Sequence, residues 1–382
     1  MWHDKSSIND SIKKLQHMIR SIIGGLHRYA VNKYSIMRDQ HLKNERLKTA
    51  KHYLSEKLGH LRPLTSAQRN EIINYWSQYT DVSREMKWFE FYNNWCDEQQ
   101  LKHIIPDSIM YGDIDVFFTN PRRSYELDDK NLYSMFFQDI KMPPTVVRKC
   151  SGVLLDSDYH IIDEERALEL CRQEPCVICK QARNSVGGKG VSFVDCSSAS
   201  TQELKAMLSG PFDLIVQAII SQHESISRLH DKSVNTVRIM SLVLDGQVHL
   251  LSGVLRMGRD GSRVDNASSG GIVCGLNDDG TLKEFAYDVC GNCWTQHPQG
   301  AVFKGAKIAG YSQCRELVMQ LAGRLCPTSR LVSWDFAVGE DGEPILIEVN
   351  LTYGQVDFHQ MCNGPIFGEL TDKILSTVFK KD

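Results

Sequence analysis

Apolar positions in the first sixty residues recur three and four apart. Ile8, Ile12, Leu15, Ile19, Ile22 and Ile23 carry the stripe, with charged residues between them. That is the period of an amphipathic helix. The pattern predicts helix over residues 8–58, broken or kinked at Gly24-Gly25. Leu61–Ser66 reads as a loop ending in a helix N-cap, and Gln68-Arg69-Asn70-Glu71 opens the next helix. Aromatic residues crowd between Tyr75 and Trp95. Helices packed on a larger body need them, whereas a lone helical arm does not.

The texture changes past about residue 110, where short β-rich runs bounded by turn residues take over. Strands are predicted at Thr145–Val147, Val177–Lys180, Leu214–Ile220, Val234–Leu244, Val248–Leu255, Leu331–Val338 and Pro344–Asn350. Helices intervene at Asp163–Gln173, Ser200–Leu208 and Gln313–Leu325. Asp245-Gly246 and Asp341-Gly342 mark hairpins. The class is α+β or α/β, with no internal repeat and no low-complexity segment.

Composition narrows this picture. A chain of 382 residues can bury large cores and has room for two to three domains. Charged residues at 24% and hydrophobic ones at 42% are ordinary for a soluble globular protein. No apolar run reaches the roughly 18 residues of a membrane span. The N-terminal MWHDKSSINDSIKK lacks the apolar core of a signal peptide. Twelve cysteines scattered over a long chain point to a reducing, cytoplasmic setting. Two C-x-x-C pairs, Cys176/Cys179 and Cys290/Cys293, raise the question of zinc. Cys176 and Cys179 lie in a strand, however, where positions three apart point to opposite faces. A structural role is the stronger reading.

Charge is uneven. Residues 1–75 hold 14 Lys and Arg against 6 Asp and Glu, and the remainder holds 30 against 41. A basic segment could meet an anionic membrane surface or an acidic polymer, but solvated faces of amphipathic helices are the plainer reading. The acidic remainder repels phosphate backbones, so nucleic-acid binding is not expected.

The C-terminal hairpin holds the first candidate chemistry. In Leu331–Val338, alternation puts Ser333, Asp335 and Ala337 on one face; in Pro344–Asn350 it puts Leu346, Glu348 and Asn350 on one face. Folding at Gly339–Gly342 brings Asp335 opposite position 346 or 348, within one cross-strand or diagonal step of Glu348. Two carboxylates held that close repel and are costly to bury without a counter-charge. A divalent cation with oxygen ligands is the simplest remedy, and Mg²⁺ takes one or two carboxylates plus phosphate oxygens. The alternative is a solvated strand end carrying three unrelated polar residues.

Two further stretches look like sites. Lys180 ends a strand and leads into a loop with Gly187, Gly188, Lys189 and Gly190. Backbone N–H groups of such a loop can approach phosphate oxygens closely. It is neither a Walker A loop, since Gly190 follows Lys189, nor a G-x-G-x-x-G fingerprint. Arg238 sits inside a β-rich run, where it needs an anionic partner or a route to solvent. Arg256, Arg259, Arg263, Asn266 and Gly270-Gly271 follow within eighteen residues, and guanidinium forks match phosphate and carboxylate oxygens.

In this order the stretches resemble the ATP-grasp superfamily of carboxylate–amine ligases. The nearest group is the one called sugar-transfer-associated ATP-grasp. S-V-N-T-V-R-I, R-x-G-x-x-G-S-x-V-D-N with following glycines, and W-D-x-x-V…P-x-x-I-E-x-N all stand in the sequence. The resemblance spans about residues 110–375. It implies an α+β fold in which two lobes grip ATP: a mainly helical region over residues 1–105, then an ATP-grasp region over 106–382, with a small lobe at about 145–220 and a larger lobe at about 221–382.

The resemblance also implies roles. Lys180 resembles the phosphate-contacting lysine of the small lobe, and Lys149 the earlier lysine of the pair, with Arg148 competing. Gly187 to Val191 would be the loop closing over the phosphates. Gln217, Ala218 and Ile219 would form the adenine hinge, and Glu224 or His223 would meet the ribose. Asn266 belongs to the nucleotide set. Asp335, Glu348 and Asn350 resemble magnesium ligands, with Glu348 bridging two ions. Related peptide ligases often carry an arginine two residues before the metal aspartate, where this chain has Ser333. Arg256 is the candidate substitute, with Arg238 beside it.

The implied chemistry phosphorylates a carboxylate with ATP and lets an amine displace the phosphate, giving an amide. The implied partners are a small carboxylate and a small amine, one of them a sugar or sugar nucleotide, such as a uronic acid joined to an amino acid. The rivals are a kinase acting on a hydroxyl through the same fold, and a non-catalytic nucleotide-binding protein.

Overall fold

The computed structural model describes residue 33 and residues 40–120, 123–124, 127–183 and 190–380. The whole stripe from Ile8 to Ile23 and the Gly24-Gly25 break lie outside these residues, as do Gly187, Gly188 and Lys189. Helix α1 spans residues 40–57, within the stretch expected to be helical. The next helix, α2 (Ser66–Trp76), is capped one residue earlier than expected. Thr65 is its N-cap and forms a capping box with Gln68, because Thr65 and not Ser66 stands three residues before a glutamine.

Two antiparallel sheets follow. The smaller contains β1 (Thr145–Cys150), β2 (Val153–Leu155), β3 (Cys176–Gln181), β4 (Val191–Asp195) and β5 (Leu214–Ala218), in the order β2-β1-β5-β3-β4. Helices α3 (Glu164–Arg172) and α4 (Thr201–Ser209) pack on it through Ala167, Cys171, Leu204 and Leu208. Each starts at a side-chain N-cap, Asp163 and Ser200 respectively.

The larger sheet contains β6 (Thr236–Leu244), β7 (Gln247–Met257), β8 (Ile272–Leu276), β9 (Leu282–Tyr287), β10 (Cys293–Trp294), β11 (Leu331–Val338) and β12 (Pro344–Asn350), in the order β10-β9-β8-β7-β6-β11-β12. Helix α5 (Tyr311–Leu325) covers one face through Cys314, Val318, Leu321 and Leu325. The other face meets Met240, Leu242 and Val254 with helices α6 (Val356–Asn363) and α7 (Thr371–Phe379). Trp76, Trp88, Phe89, Phe91 and Tyr92 of the N-terminal helices join this same core. With both faces covered, β6 and β11 are almost continuously buried, which is why their sequences read as apolar runs.

Strands β11 and β12 keep the boundaries that alternation gives them, but their pairing does not run straight through. Phe336 pairs with Leu346, whereas Asp335 pairs with Glu348. Ile347 is therefore an extra residue, a bulge. Leu346 follows Phe336 into the core, instead of sharing a face with Glu348 as strict alternation requires. Ser333, Asp335, Glu348 and Asn350 now line up across the ladder. The two C-x-x-C pairs sit in different sheets: Cys176 and Cys179 on β3, Cys293 on β10.

Candidate functional site

A cleft of about 1360 Å³ opens between the sheets and the N-terminal helices. Lys130, Lys180, Arg238, Arg256, Asp335 and Glu348 line one part of it.

At its floor stands Asp335, 2% exposed. Register explains its company. On one side β6 places Arg238 directly opposite it, and on the other β12 places Glu348. Arg238 grips both carboxylate oxygens, Nε to Oδ1 and Nη2 to Oδ2, each at 2.7 Å, the bidentate fork that suits a carboxylate. Arg256 adds a bond from Nη1 to Oδ2 at 3.0 Å, and also donates to Asn266 Oδ1. Burial alone would push the Asp335 carboxyl up, but the Arg238 and Arg256 charges outweigh it and hold it below the usual range.

This arrangement accounts for Ser333. Ser333 is buried against the loop before α6, and a Cβ at Gly354 would collide with its hydroxyl. No arginine fits there. The guanidinium charge enters from β6 instead, and Gln355 of the same loop accepts from Arg238 Nη1 at 2.8 Å. Gly271, in the glycine pair after Asn266, is needed for similar reasons: a Cβ there would lie 2.6 Å from the Asp265 carbonyl oxygen and 2.8 Å from that of Met257.

The oxygens fit a hard cation, though not equally. Asp335 already accepts the three arginine bonds and a longer one, 3.4 Å, from Asn350 Nδ2. That nearly fills the lone-pair sites of a carboxylate. Of the Glu348 oxygens only Oε1 carries an ion pair among the described residues, to Lys130 at 2.7 Å. Asn350 spends its amide N–H on Asp335, which leaves its side-chain carbonyl oxygen to act as a metal ligand. Glu348 and Asn350 could hold Mg²⁺, with Asp335 behind them as a buried anchor for the arginines.

Lys180 lines the cleft and donates to Gln217 Oε1 at 3.1 Å. Desolvation, with the Lys130 charge second, lowers its pKa to about 8. Ala218 and Ile219 line the same cleft, whereas Gln217 lines a smaller cavity beside it. Gly190, at the described end of the glycine loop, has φ +76.

Other residues are placed elsewhere. Lys149 donates to the carbonyls of Leu208 and Gly210 at the end of α4 and does not line the cleft. Its rival Arg148 is buried, bonded to the Asn131 carbonyl and to Ser134, over the Tyr159 ring. Glu224 is exposed, and neither it nor His223 is a cleft residue. Lys130 is the residue that sequence patterning missed. It lies in a 3₁₀ turn capped by Asp129, with no periodic signal around it.

The sequence matches the family described as sugar-transfer associated ATP-grasp over residues 116–374, more than half of the chain. The chain belongs to that family. The matched span contains both sheets and every cleft residue named above, and it gives the α+β architecture its name, the ATP-grasp fold. No curated protein matches the sequence. Among solved structures, the ATP-grasp chain is similar to D-alanyl-alanine synthetase A from Vibrio cholerae, at 12% identity and TM-score 0.41, covering 68% of each chain. It is also similar to the VanG D-Ala:D-Ser ligase from Enterococcus faecalis, at 14% identity and TM-score 0.40, covering 68% of this chain and 63% of that one. D-cycloserine synthetase DcsG matches at 13% identity and TM-score 0.39, covering 77% and 80%. No helix among the described residues is long and apolar enough to cross a membrane.

Proposed function

We propose that this protein is an ATP-dependent carboxylate–amine ligase that works through an acyl phosphate. The observation that carries the reading is the convergence of Lys130, Lys180, Arg238 and Arg256 with Glu348 and Asn350 on one cleft. Asp335 and Glu348 are two carboxylates against these four basic side chains, which leaves positive charge facing the cleft. A phosphoryl group in transfer needs that charge.

In this reading residues 145–220 form the small ATP-binding lobe and residues 221–382 the larger one. Ala218 and Ile219 flank the adenine, and Lys180 meets the phosphates, with the segment from Gly187 to Gly190 closing over them. Magnesium, as one or two ions on Glu348 and Asn350, would neutralise charge on the phosphate oxygens. The carboxylate substrate attacks the γ-phosphoryl group and ADP leaves. Arg256 and Arg238 then stabilise the oxyanion as the amine adds to the acyl phosphate and phosphate departs. Asp335 fixes both guanidinium planes for that task. A closed lid keeps water from the acyl phosphate.

Arginine forks suit carboxylates, and the family description speaks of sugar transfer. We therefore assign the acid to a uronic acid and the amine to an amino acid, in the cytoplasmic assembly of a sugar-containing polymer. The test is coupled turnover. ADP and phosphate should appear together only when a uronic acid and an amine are both present. Steady turnover with a simple alcohol alone, leaving phosphate on the alcohol, would make the protein a kinase.

A further inference from the structure

The cleft runs on past the phosphate-binding end to a wall built by α1 and α6, where Arg46, His52, Tyr53, Glu56 and Asp357 line it. Two carboxylates, Glu56 and Asp357, stand here among Arg46, Lys48 and His52. Asp357 is 2% exposed, and its Oδ2 pairs at 2.9 Å with Lys57, which is itself fully buried. Its Oδ1 has no partner among the described residues. Behind it Asp107, fully buried, has no partner for either oxygen, and the hydroxyl of Tyr111 has none. Burial first, and the Asp357 charge second, push the Asp107 carboxyl well above its usual range. An unpartnered buried acceptor costs free energy that a donor would recover.

The basic side chains on this wall already have partners, Lys48 with Glu45 at 2.6 Å among them. Lys57 donates to the Val289 carbonyl besides its ion pair. Arg46 donates to the Tyr111 carbonyl, and His52 lies 3.8 Å from Glu56. A small cation with N–H donors would satisfy Asp357 Oδ1.

We infer that the Asp357 end of the cleft is the ammonium-binding subsite for the amine co-substrate, with Asp357 Oδ1 as its acceptor. This rests on the ligase reading. The subsite also touches the reaction centre. Gln355, two residues before Asp357, holds Arg238, and Arg238 holds Asp335. The subsite and the reaction centre are thus joined through the start of α6 and line one cleft.

Ligand-observed NMR on the full chain with ethanolamine, and with ethylene glycol as its neutral counterpart, tests the assignment without turnover. Ethanolamine should bind saturably while ethylene glycol does not. Asp357→Asn alone would strand Lys57 as a buried charge, so the pair is removed together as Lys57→Met with Asp357→Leu. That variant should bind ethanolamine about tenfold more weakly or worse, with ATP affinity unchanged. If it does not fold, Glu56→Gln decides, with about threefold weakening expected from loss of a nearby carboxylate. Equal binding of ethylene glycol, no saturable ethanolamine binding, or an unchanged affinity in the deciding variant overturns the inference. Binding that depends on Asp357, with no ADP release for any acid and amine pair, would sink the ligase reading and leave the subsite standing.

Discussion

Glu348 stands directly opposite Asp335 because Ile347 is an extra residue in β12. Had the pairing of Phe336 with Leu346 continued regularly, Ile347 would face Asp335 and Glu348 would turn to the other side of the sheet. One inserted residue thus separates two kinds of carboxylate. Asp335 is enclosed by arginines. Glu348, with a side chain 25% exposed, faces the cleft and meets Lys130.

The two carboxylates should therefore fail differently. Asp335→Asn leaves Arg238 and Arg256 buried without their counter-charge, at a cost of about 3–5 kcal/mol. Glu348→Gln should cost less than about 1 kcal/mol, because it removes one partly exposed pair. Urea denaturation measures both. Glu348→Gln should nonetheless abolish magnesium-dependent ATP turnover. Equal destabilisation by the two substitutions would contradict the geometry.

Lys180 and Lys149 make a second contrast. Lys180→Ala should weaken ATP binding roughly ten- to hundredfold, the worth of a charge-assisted hydrogen bond. Lys149→Met should leave ATP affinity unchanged and lower stability by about 0.5–1 kcal/mol, since its ammonium serves the carbonyls at the end of α4. Calorimetry with ATP and thermal unfolding read the two effects.

The pKa of Lys180 predicts a proton signature. With a free-protein value of about 8, the side chain is charged below that pH and increasingly neutral above it. ATP phosphates favour the charged form and raise the value. Binding at about pH 9 should then take up a proton, and binding at about pH 6.5 should not involve this group. ATP affinity should fall as pH rises through 8. Titrations in two buffers of different ionisation heat detect the uptake, and Lys180→Ala should remove it.

The N-terminal helices should prove inseparable from the rest of the molecule. Deleting residues 1–60 removes Lys57 and leaves Asp357 buried without its cation, so the truncated chain should not fold to a cooperative unit. Deleting residues 1–39 spares α1 and should preserve folding. Circular dichroism melting curves of the two truncations distinguish these outcomes.

What sequence patterning could see follows from distance along the chain. Alternation set the limits of β11 and β12, and burial on both faces made β6 legible. β4, an edge strand of mixed exposure, and the short β8, β9 and β10 carried too little periodicity. A bulge is one residue long and leaves no trace in alternation, so the register of Asp335 stayed open between positions 346 and 348. Arg238 could be noticed, but its partner is 97 residues away and depends on the pairing of β6 with β11. Lys130 had no local signal, because tertiary contacts set its position: its N–H donates to the Ala182 carbonyl, and Arg183 holds Asp129.

The central claim is that the γ-phosphoryl group of ATP passes through a carboxylate. The most direct measurement supplies a uronic acid labelled with ¹⁸O in its carboxyl group, together with ATP, magnesium and an amino acid, and follows the label by ³¹P NMR. One ¹⁸O per turnover should appear in inorganic phosphate, because breakdown of an acyl phosphate by the amine leaves a carboxyl oxygen on phosphorus. Unlabelled phosphate, or phosphorus retained on a stable sugar phosphate, would contradict the account.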